Sequence, residues 1–448
     1  MTSVINRRNF LKAAGLGLSS AVVHSAVSAP AVGKDGYDGL FPQHPPMGKG
    51  LGTMPGRVVW AYDPECVHWS EGYWWEPKNF DADRIQKMVD RGIAAVAGKA
   101  TPAEAWEALF KYHNGTRGKG AVGYKRGEKI AIKTNMNGAG WSGPNSAHTA
   151  NAFTNPVALR ALLVSMVRDG GIASEDITVY DASRNFTSIL LDYLKTDLVK
   201  DVRYQWSEEG SPNDCQPDRN APLIWSKSFS GERSYLPTVV TQAEYLINFA
   251  DLKGHSSNGI TLTAKNHFGS IMNSDRIASP VAANLHQFVS ADAMNRYTVL
   301  VDLMGHYLLG AKTMLYLLDG IIVSTSEGGT TTLRSENSHW QSAPFNGGYT
   351  SSLFFSQDPV AIDSVGADFL GNEPTLQRFN SVIRNNPKVE NYLHEAGGVA
   401  RAPSGTTYRN GNGERIMNLG VHEHWNNCTE RKYSRNLGKD EGIELVRV

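Results

Sequence analysis

The alternation of short apolar segments with longer segments of helical periodicity is the feature that most restricts how this chain can fold. Between residues 128 and 199, the pattern predicts a strand at 128–134, a helix at about 155–169, a strand at 176–181 and a helix at about 186–199. Strands and helices that alternate in this way form βαβ units, whose strands lie parallel. The chain is therefore predicted to be an α/β protein, with a mostly parallel mixed sheet flanked by helices and with long irregular insertions.

Further segments extend this pattern in both directions along the chain. The additional predicted strands are 57–62, 243–249, 318–323 and 352–355, and the additional predicted helices are 81–97, 359–370 and about 387–396. Another helix opens with Thr101 as its cap and Pro102 at its first position. Residues 291–318 predict a largely helical stretch that leads into the strand at 318–323, and residues 205–235 predict a long irregular insertion. With 41% hydrophobic residues, the chain has enough apolar material for the core of such a fold.

The first 31 residues have the anatomy of an export signal. Arg7 and Arg8 precede Phe10, an apolar stretch follows from Ala13 to Val23, and small residues surround Ala29. A positive segment, a short apolar segment and a small-residue cleavage zone are typical of a signal peptide, and the paired arginines indicate the twin-arginine type. We therefore expect the twin-arginine export machinery as a partner and the periplasm as the destination. After cleavage of the signal we expect no stable membrane span.

This signal divides the chain into three parts. Residues 1–31 are predicted to be the signal peptide, the Gly- and Pro-rich residues 32–56 a linker, and residues 57–448 a single large α/β domain. Chains that use this export route fold before translocation, commonly because they acquire a metal or cofactor in the cytoplasm. The signal therefore favours a bound metal ion or cofactor without requiring one.

Charge and cysteine content exclude several classes of protein. Lys plus Arg and Asp plus Glu both number 44, so the zero net charge argues against a nucleic-acid binder. None of Cys66, Cys215 and Cys428 belongs to a Cys-x-x-Cys pair, so no iron–sulfur cluster is expected. In an oxidising compartment, Cys215 and Cys428 are the candidate pair for a disulfide. The sequence also lacks the phosphate-binding Gly-rich motifs and the Gly-x-Ser-x-Gly motif, which argues against nucleotide hydrolysis and serine-hydrolase chemistry.

Polar residues that follow predicted strands are candidates for a ligand site, because open α/β sheets bind ligands at the carboxyl ends of their strands. Lys133 and Asn135 follow one predicted strand, and Asp181 ends the next. Asp319 and Asp363 lie within or beyond later strands. For these two aspartates, helix capping or hydrogen bonding to buried backbone is the alternative to a metal-binding role.

The densest signal is a doubled Lys-x-His pattern. Lys253 and His255 are two residues apart, and so are Lys265 and His267. Residues i and i+2 of an extended chain share a face, so two lysines and two histidines would converge if the segments lay side by side. Such a site could bind an anion, hold a metal on the histidine nitrogens, or use a desolvated lysine as base or nucleophile. Purely structural polar residues are the alternative.

Two histidines near the C-terminal end of the sequence also have ligand spacing. His422 and His424 flank Glu423 and would share one face of a strand. We favour placement on the protein surface for this segment, so it is not part of the predicted site.

Taken together, the strand-end motifs resemble the family known as domain of unknown function 362. The resemblance is carried by a strand ending in Lys-x-Asn (130–135), a hydrophobic-Asn strand followed by Lys-x-His, Gly-x-Thr and Lys-Asn-x-x-Gly (244–269), an Asp-Gly strand (318–320) and an Asp-Pro-Val-Ala-x-Asp helix start (358–363). The similarity is clearest over residues 128–371. Many relatives carry a ferredoxin-like cysteine segment, which implies redox work for them, and this chain has no such segment.

These observations lead to a specific hypothesis, a metal-assisted enzyme that acts on a small anionic or polyhydroxylated substrate, with a divalent or transition metal ion as cofactor. The predicted catalytic residues are Lys133, Lys253 and Lys265; the predicted substrate-binding residues are Asn135, Asn248, Thr261 and Asn266; the predicted metal ligands are His255, His267, Asp181, Asp319 and Asp363. The lysines would neutralise substrate charge, and the histidines would bind metal or move protons. One alternative is a non-catalytic periplasmic protein that binds a ligand or assists maturation of a redox partner. The other is a redox protein with an organic cofactor.

Overall fold

An eight-stranded mixed sheet lies at the centre of the part of the chain that the structure describes. The computed structural model describes residues 41–137, 139, 151–208, 210–228, 233–255, 258–273, 293–324, 333, 335–374 and 387–448. The predicted signal peptide and residues 32–40 of the predicted linker lie outside these ranges.

The strands and helices are as follows. In chain order the strands are β1 (Met47–Gly48), β2 (Arg57–Tyr62), β3 (Ile130–Thr134), β4 (Ile177–Asp181), β5 (Arg203–Trp206), β6 (Pro217–Pro222), β7 (Ser234–Pro237), β8 (Tyr245–Asp251), β9 (Lys253–His255), β10 (Gly259–Thr261), β11 (Met272–Asn273), β12 (Thr313–Gly320), β13 (Ser352–Ser356), β14 (Val421–His422) and β15 (Glu444–Arg447). In the same order the helices are α1 (Ala82–Ala97), α2 (Pro102–Thr116), α3 (Pro156–Arg168), α4 (Ser188–Leu194), α5 (Thr238–Thr241), α6 (Thr263–Asn266), α7 (Val299–Gly305), α8 (Pro359–Asn372) and α9 (Pro387–Gly397).

The central sheet has the strand order β15-β2-β13-β12-β8-β3-β4-β5. Strand β13 is antiparallel to both of its neighbours, and the other neighbouring pairs are parallel. Two pairs, β1 with β14 and β9 with β10, form small antiparallel sheets beside it. The prediction of an α/β fold with a mostly parallel mixed sheet is therefore confirmed.

The local sequence explains where these elements begin and end. Every residue of strands β3, β4, β12 and β13 is buried, as expected for continuous apolar strands covered on both faces. Helix α1 begins after Asp81, whose side chain accepts a hydrogen bond from the Arg84 amide, and it ends at Gly98 with a left-handed φ of 65°. Helix α2 begins with the predicted Thr101 cap, completed by Glu104 as a capping box. Within the described ranges, no helix is long and apolar enough to cross a membrane.

The prediction for residues 291–323 is wrong in two respects. In the described part of this region, helix α7 covers only Val299–Gly305. The following strand, β12, begins at Thr313 and ends at Gly320, whereas the sequence predicted a strand from 318 to 323. A short apolar run fits a buried strand as well as a buried helix, and its period cannot distinguish the two. Its position between β8 and β13 selects the strand.

The predicted irregular insertion at 205–235 contains regular structure. Strands β6 and β7 pair antiparallel, and β11 joins them in a three-stranded sheet. The sequence gives little sign of β6 because its residues, Pro-Asp-Arg-Asn-Ala-Pro, are poor strand formers. Pairing with β7 therefore overrides the local preference of this segment.

Residues 41–56, the described part of the predicted linker, are packed against the rest of the protein. The amide of Leu51 donates to the Asp358 carboxylate at 2.9 Å, and the amide of Thr53 donates to the Gln357 side chain at 2.8 Å. Strand β1 pairs with β14 near the opposite end of the chain. This segment thus forms hydrogen bonds with parts of the chain that are distant in sequence.

The candidate disulfide between Cys215 and Cys428 is not formed. The Cys215 thiol is fully buried, and the structure contains no disulfide between it and Cys428. Cys215 is held beside the end of β5, where its amide donates to the Trp206 carbonyl at 2.8 Å. Burial also raises the pKa of the Cys66 thiol to about 12, which makes it an unreactive neutral group at neutral pH.

Candidate functional site

Four parallel strands, β3, β4, β8 and β12, end at the same edge of the sheet. In the sheet register, Lys133 lies between Tyr180 and Asn248, and Asp251 lies opposite Asp319. The loop after β8 then brings β9, β10 and α6 to this edge, because they follow within 15 residues. We call the resulting group the strand-end site, and it comprises Lys133, Asp181, Asn248, Asp251, Lys253, Lys265, Asn266, His267 and Asp319.

Lys133 and Asp181 form a buried ion pair at one end of this site. The Lys133 Nζ lies 3.2 Å from Asp181 Oδ2, and both side chains are almost completely buried. Asp181 also accepts hydrogen bonds from the Met136 amide at 2.9 Å and from the Ser183 hydroxyl at 2.7 Å. Burial lowers the pKa of Lys133, and the carboxylate of Asp181 opposes that shift. The pair is held rigidly, so it fixes the position of the groups beside it.

A chain of side-chain amides connects this ion pair to His267. The Lys133 Nζ donates to Asn266 Oδ1 at 3.3 Å, and Asn266 Nδ2 donates to Asn248 Oδ1 at 2.8 Å. Asn248 Nδ2 lies 3.2 Å from His267 Nε2, and an amide NH₂ can only donate, so this ring nitrogen accepts. The ring proton therefore lies on Nδ1, which is buried without a hydrogen-bond partner among the described residues. Burial and the charge of Lys133 lower the pKa of His267 to about 3, so the ring is neutral.

Asp251 and Asp319 form a second group of buried charges, together with Lys253. The Lys253 Nζ lies 3.5 Å from Asp251 Oδ2, and Thr154 donates to Asp251 Oδ1 at 3.2 Å. Asp319 Oδ2 accepts from the Asn155 amide at 2.6 Å. Burial raises the pKa of Asp251 to about 6, and burial together with the negative charge of Asp251 raises the pKa of Asp319 to about 7. Two carboxyl groups that exchange protons near neutral pH are suited to acid–base chemistry.

Lys265 differs from the other two lysines of the site. Its ammonium lies over the Phe268 ring, 3.8 Å from the centroid, and it forms no ion pair with an acidic residue in the described ranges. Burial, together with the positive charges of Lys253, Arg184 and Lys133, lowers its pKa to about 7. The side chain is still partly open to solvent. Lys265 thus lies among other cationic groups and has no anionic partner in the part of the chain that the structure describes.

A small cavity opens onto the second group of charges. Asp251, Lys253 and Asp319 form its polar wall, and Phe153 and Ile322 contribute to its apolar wall. Its volume is about 20 Å³, which is enough for roughly one water molecule. The cavity therefore presents two protonatable carboxyl groups and one ammonium to a very small ligand or to one end of a larger ligand.

The remaining predicted residues of the site have other contacts. Thr261 pairs with Lys253 in the β9–β10 register, and His255 pairs with Gly259 at the far end of that hairpin. The Nδ1 of His255 lies 3.2 Å from the Asn258 amide, which can only donate to it. These contacts place Thr261 next to the site, whereas the His255 side chain accepts a hydrogen bond in the turn of the hairpin.

Asp363 and Asn135 also make local contacts. Asp363 Oδ1 accepts from the amide and hydroxyl of Thr263, at 2.9 and 2.7 Å, and Oδ2 accepts from the Ala264 amide at 3.0 Å. Asp363 therefore binds the beginning of α6, the helix that carries Lys265. Asn135 Oδ1 accepts from the Asn137 amide at 3.0 Å in the loop after β3.

The five predicted metal ligands do not form a cluster with one another. Among the described residues, the group of His, Cys, Asp and Glu side chains with ligand atoms within 4.8 Å of one another is His44, Glu390, His422 and His424. We call this group the histidine cluster. The expected surface placement of the segment 422–424 is wrong, because His422 is completely buried and His424 is 4% exposed. A metal ion held by His255, His267, Asp181, Asp319 or Asp363 stays a prediction.

Sequence reasoning missed Asp251, His44 and Glu390. Asp251 ends a strand two residues before Lys253, and that position was a usable signal. His44 lies in the predicted linker and Glu390 lies in a helix far from the strand-end motifs, so their approach to His422 depends on tertiary structure.

Fold and site together define an α/β protein whose parallel strands end in a cluster of buried lysines, carboxylates and amides. Residues 130–368, more than half of the chain, match the family described as Domain of unknown function (DUF362). This chain therefore belongs to that family. No curated protein matches the chain. All nine residues of the strand-end site lie within the matched range, whereas His44, Glu390, His422 and His424 lie outside it.

Proposed function

We propose that this protein is a periplasmic enzyme, exported through the twin-arginine pathway, that binds a small anionic substrate at the strand-end site and transfers protons on it. The observation that carries the proposal is the position of Lys265 among Lys253, Arg184 and Lys133, with no acidic partner in the described ranges. An anion beside Lys265 would relieve this repulsion and favour the ammonium form. The positive charges around Lys265 favour an anionic substrate over a neutral polyhydroxylated one.

The carboxyl groups of Asp251 and Asp319 supply the proposed proton transfer. With pKa values of about 6 and about 7, one of them can be protonated while the other is ionised near neutral pH. Such a pair can donate a proton to a substrate and accept one from it. Lys253, 3.5 Å from Asp251, would hold the negative charge that remains after donation. This chemistry needs no metal ion at the strand ends.

Anion titration of the full chain tests the proposal. Inorganic phosphate, sulfate and small dicarboxylates would be titrated by calorimetry at pH 6 and at pH 8. We expect the Lys265→Gln variant to bind the best of these anions at least about tenfold more weakly, since it loses one charged hydrogen bond. Lys111→Gln is the matched control, because Lys111 is an exposed helix residue paired with Glu107.

The pH dependence is a second readout of the same experiment. Raising the pH through 7 deprotonates Lys265 and ionises Asp251 and Asp319, so both changes weaken anion binding. Affinity should therefore fall between pH 6 and pH 8 in the native protein and change less in Lys265→Gln. Equal binding by Lys265→Gln and native protein, or no binding of any anion, would refute the proposal. Binding without turnover of any candidate substrate would favour the non-catalytic accessory role.

A further inference from the structure

The histidine cluster joins three parts of the chain that are distant in sequence. His44 precedes β1, His422 lies in β14, His424 follows it, and Glu390 lies in α9. The Nε2 atoms of His44 and His422 are 3.2 Å apart, and the Nε2 of His424 is 3.1 Å from Glu390 Oε1. Four ligand atoms thus converge on one point from three segments.

Each histidine of the cluster is fixed through its outer nitrogen. His44 Nδ1 lies 2.8 Å from the Pro45 carbonyl, and His424 Nδ1 lies 2.7 Å from Asp368 Oδ1. His422 Nδ1 lies 2.9 Å from the Ser364 hydroxyl. In all three rings the Nε2 atom therefore points to the centre of the cluster. Histidines that bind metals are typically held in this way by a carbonyl, a carboxylate or a hydroxyl on the opposite nitrogen.

The outer contacts also fix where the ring protons are. A carbonyl oxygen only accepts, so His44 carries its proton on Nδ1. The Ser364 hydroxyl donates to the Val360 carbonyl at 2.7 Å, so it accepts from His422, whose proton is also on Nδ1. In the neutral rings, two Nε2 lone pairs then face each other at 3.2 Å. Such an arrangement is repulsive unless a cation lies between the nitrogens.

We propose that the histidine cluster binds a divalent transition-metal ion, with Zn²⁺ the best match, through the Nε2 atoms of His44, His422 and His424 and a carboxylate oxygen of Glu390. Bonds of about 2.0–2.1 Å at tetrahedral angles place neighbouring ligand atoms about 3.3–3.4 Å apart, close to the separations of 3.2 and 3.1 Å in the cluster. Three imidazoles and one carboxylate are a typical ligand set for such ions.

The ligand set assigns this metal a structural role. Four protein ligands complete a tetrahedral shell and leave no position for a substrate. The second carboxylate oxygen of Glu390 lies 3.3 Å from His394 Nε2. The ion would cross-link the segment before β1 to α9 and β14. This site is separate from the proposed anion site and lies outside the range that matches the family.

Metal analysis and zinc titration of the full chain test this inference. The protein would be purified without chelators and without a histidine tag, and its metal content would be measured by mass spectrometry. Chelator-treated protein would then be titrated with Zn²⁺, and with Co²⁺ as a spectroscopic probe of tetrahedral coordination. We expect equimolar metal in the purified protein and a Tm that rises when Zn²⁺ is restored.

His44→Ala is the decisive variant, because His44 is only partly buried and we therefore expect the variant to fold. Its zinc affinity should fall at least about tenfold, and Zn²⁺ should no longer raise its Tm. Glu390→Gln provides a second variant that removes the carboxylate ligand while keeping its shape. His68→Ala is the control, because His68 is an exposed histidine that contacts the Lys78 carbonyl. Native protein that binds Zn²⁺ no more tightly than His44→Ala does, or a loss of equal size in His68→Ala, would overturn the inference.

Discussion

The carboxyl groups of Asp251 and Asp319 meet at the ends of neighbouring parallel strands, where water is largely excluded. Their register places them side by side, and the charge of Asp251 adds to burial in raising the pKa of Asp319 to about 7. We expect Asp251→Asn to lower the pKa of Asp319, because the like charge is removed while the burial stays. Infrared titration of protein labelled with ¹³C in its aspartate carboxyl groups would measure the shift. Asp83→Asn, an exposed residue of α1, should leave that pKa unchanged, and an unchanged value in Asp251→Asn would show that the two groups are independent.

Individual residues of the strand-end site could be predicted because each follows a strand that can be recognised from its own local sequence. Lys133 and Asp181 each stand at the end of a recognisable strand, and parallel strands bring such ends together. His255 shares the Lys-x-His spacing of the site, yet the β9–β10 hairpin directs it to a turn contact with Asn258. A two-residue spacing predicts that two side chains lie on the same face of a strand, but it does not predict which residues they contact. The histidine cluster could not be predicted, because His44 and His422 are separated by 378 positions.

At the scale of elements, helix α8 connects the two candidate sites. Asp363 binds the start of α6, which carries Lys265, while Ser364 and Asp368 hold the rings of His422 and His424. The helix is buried along nearly its whole length, so it is a rigid support for both groups. Sequence predicted this helix well, since Asp358 and Pro359 form a strong start signal.

The N-terminal cap of α8 should be critical for stability. Asp358 accepts hydrogen bonds from the amides of Val360, Ala361, Leu51 and Val421, at 3.0, 2.8, 2.9 and 3.1 Å. Asp358→Ala would leave these buried donors unsatisfied, so we expect the free energy of unfolding to fall by about 3 kcal/mol. Chemical denaturation would measure the change, with Asp83→Ala as the exposed control. Hydrogen exchange should in addition quicken at Leu51 and Val421, and unaltered exchange at both amides would contradict the assigned role of Asp358.

At the scale of the whole molecule, the family range and the segments that flank it contribute different parts of the structure. The family range, 130–368, supplies the sheet edge and its charges. The flanking segments supply β1, β2, β14 and β15. Strand β1 pairs with β14 and β15 pairs with β2, and β2 also pairs with β13 of the family range. Periodicity predicted the βαβ portion because each unit forms from neighbouring residues. It gave little sign of the structure of residues 41–56, whose partners lie far along the chain, or of β6, whose pairing with β7 overrides its local preference.

If the chain is exported in its folded state, the sheet and the histidine cluster form before the protein leaves the cytoplasm. The twin-arginine route depends on the arginine pair itself and not on positive charge alone, so we expect Arg7→Lys with Arg8→Lys to keep the protein in the cytoplasm. Cell fractionation and immunodetection would measure its distribution, with Lys34→Arg, beyond the predicted signal, as the control. Equal periplasmic amounts of the double variant and the native protein would refute the export assignment. The retained variant also separates export from metal loading: if the histidine cluster fills during folding, protein held in the cytoplasm should contain as much zinc as exported protein, because none of the four ligands lies in the signal.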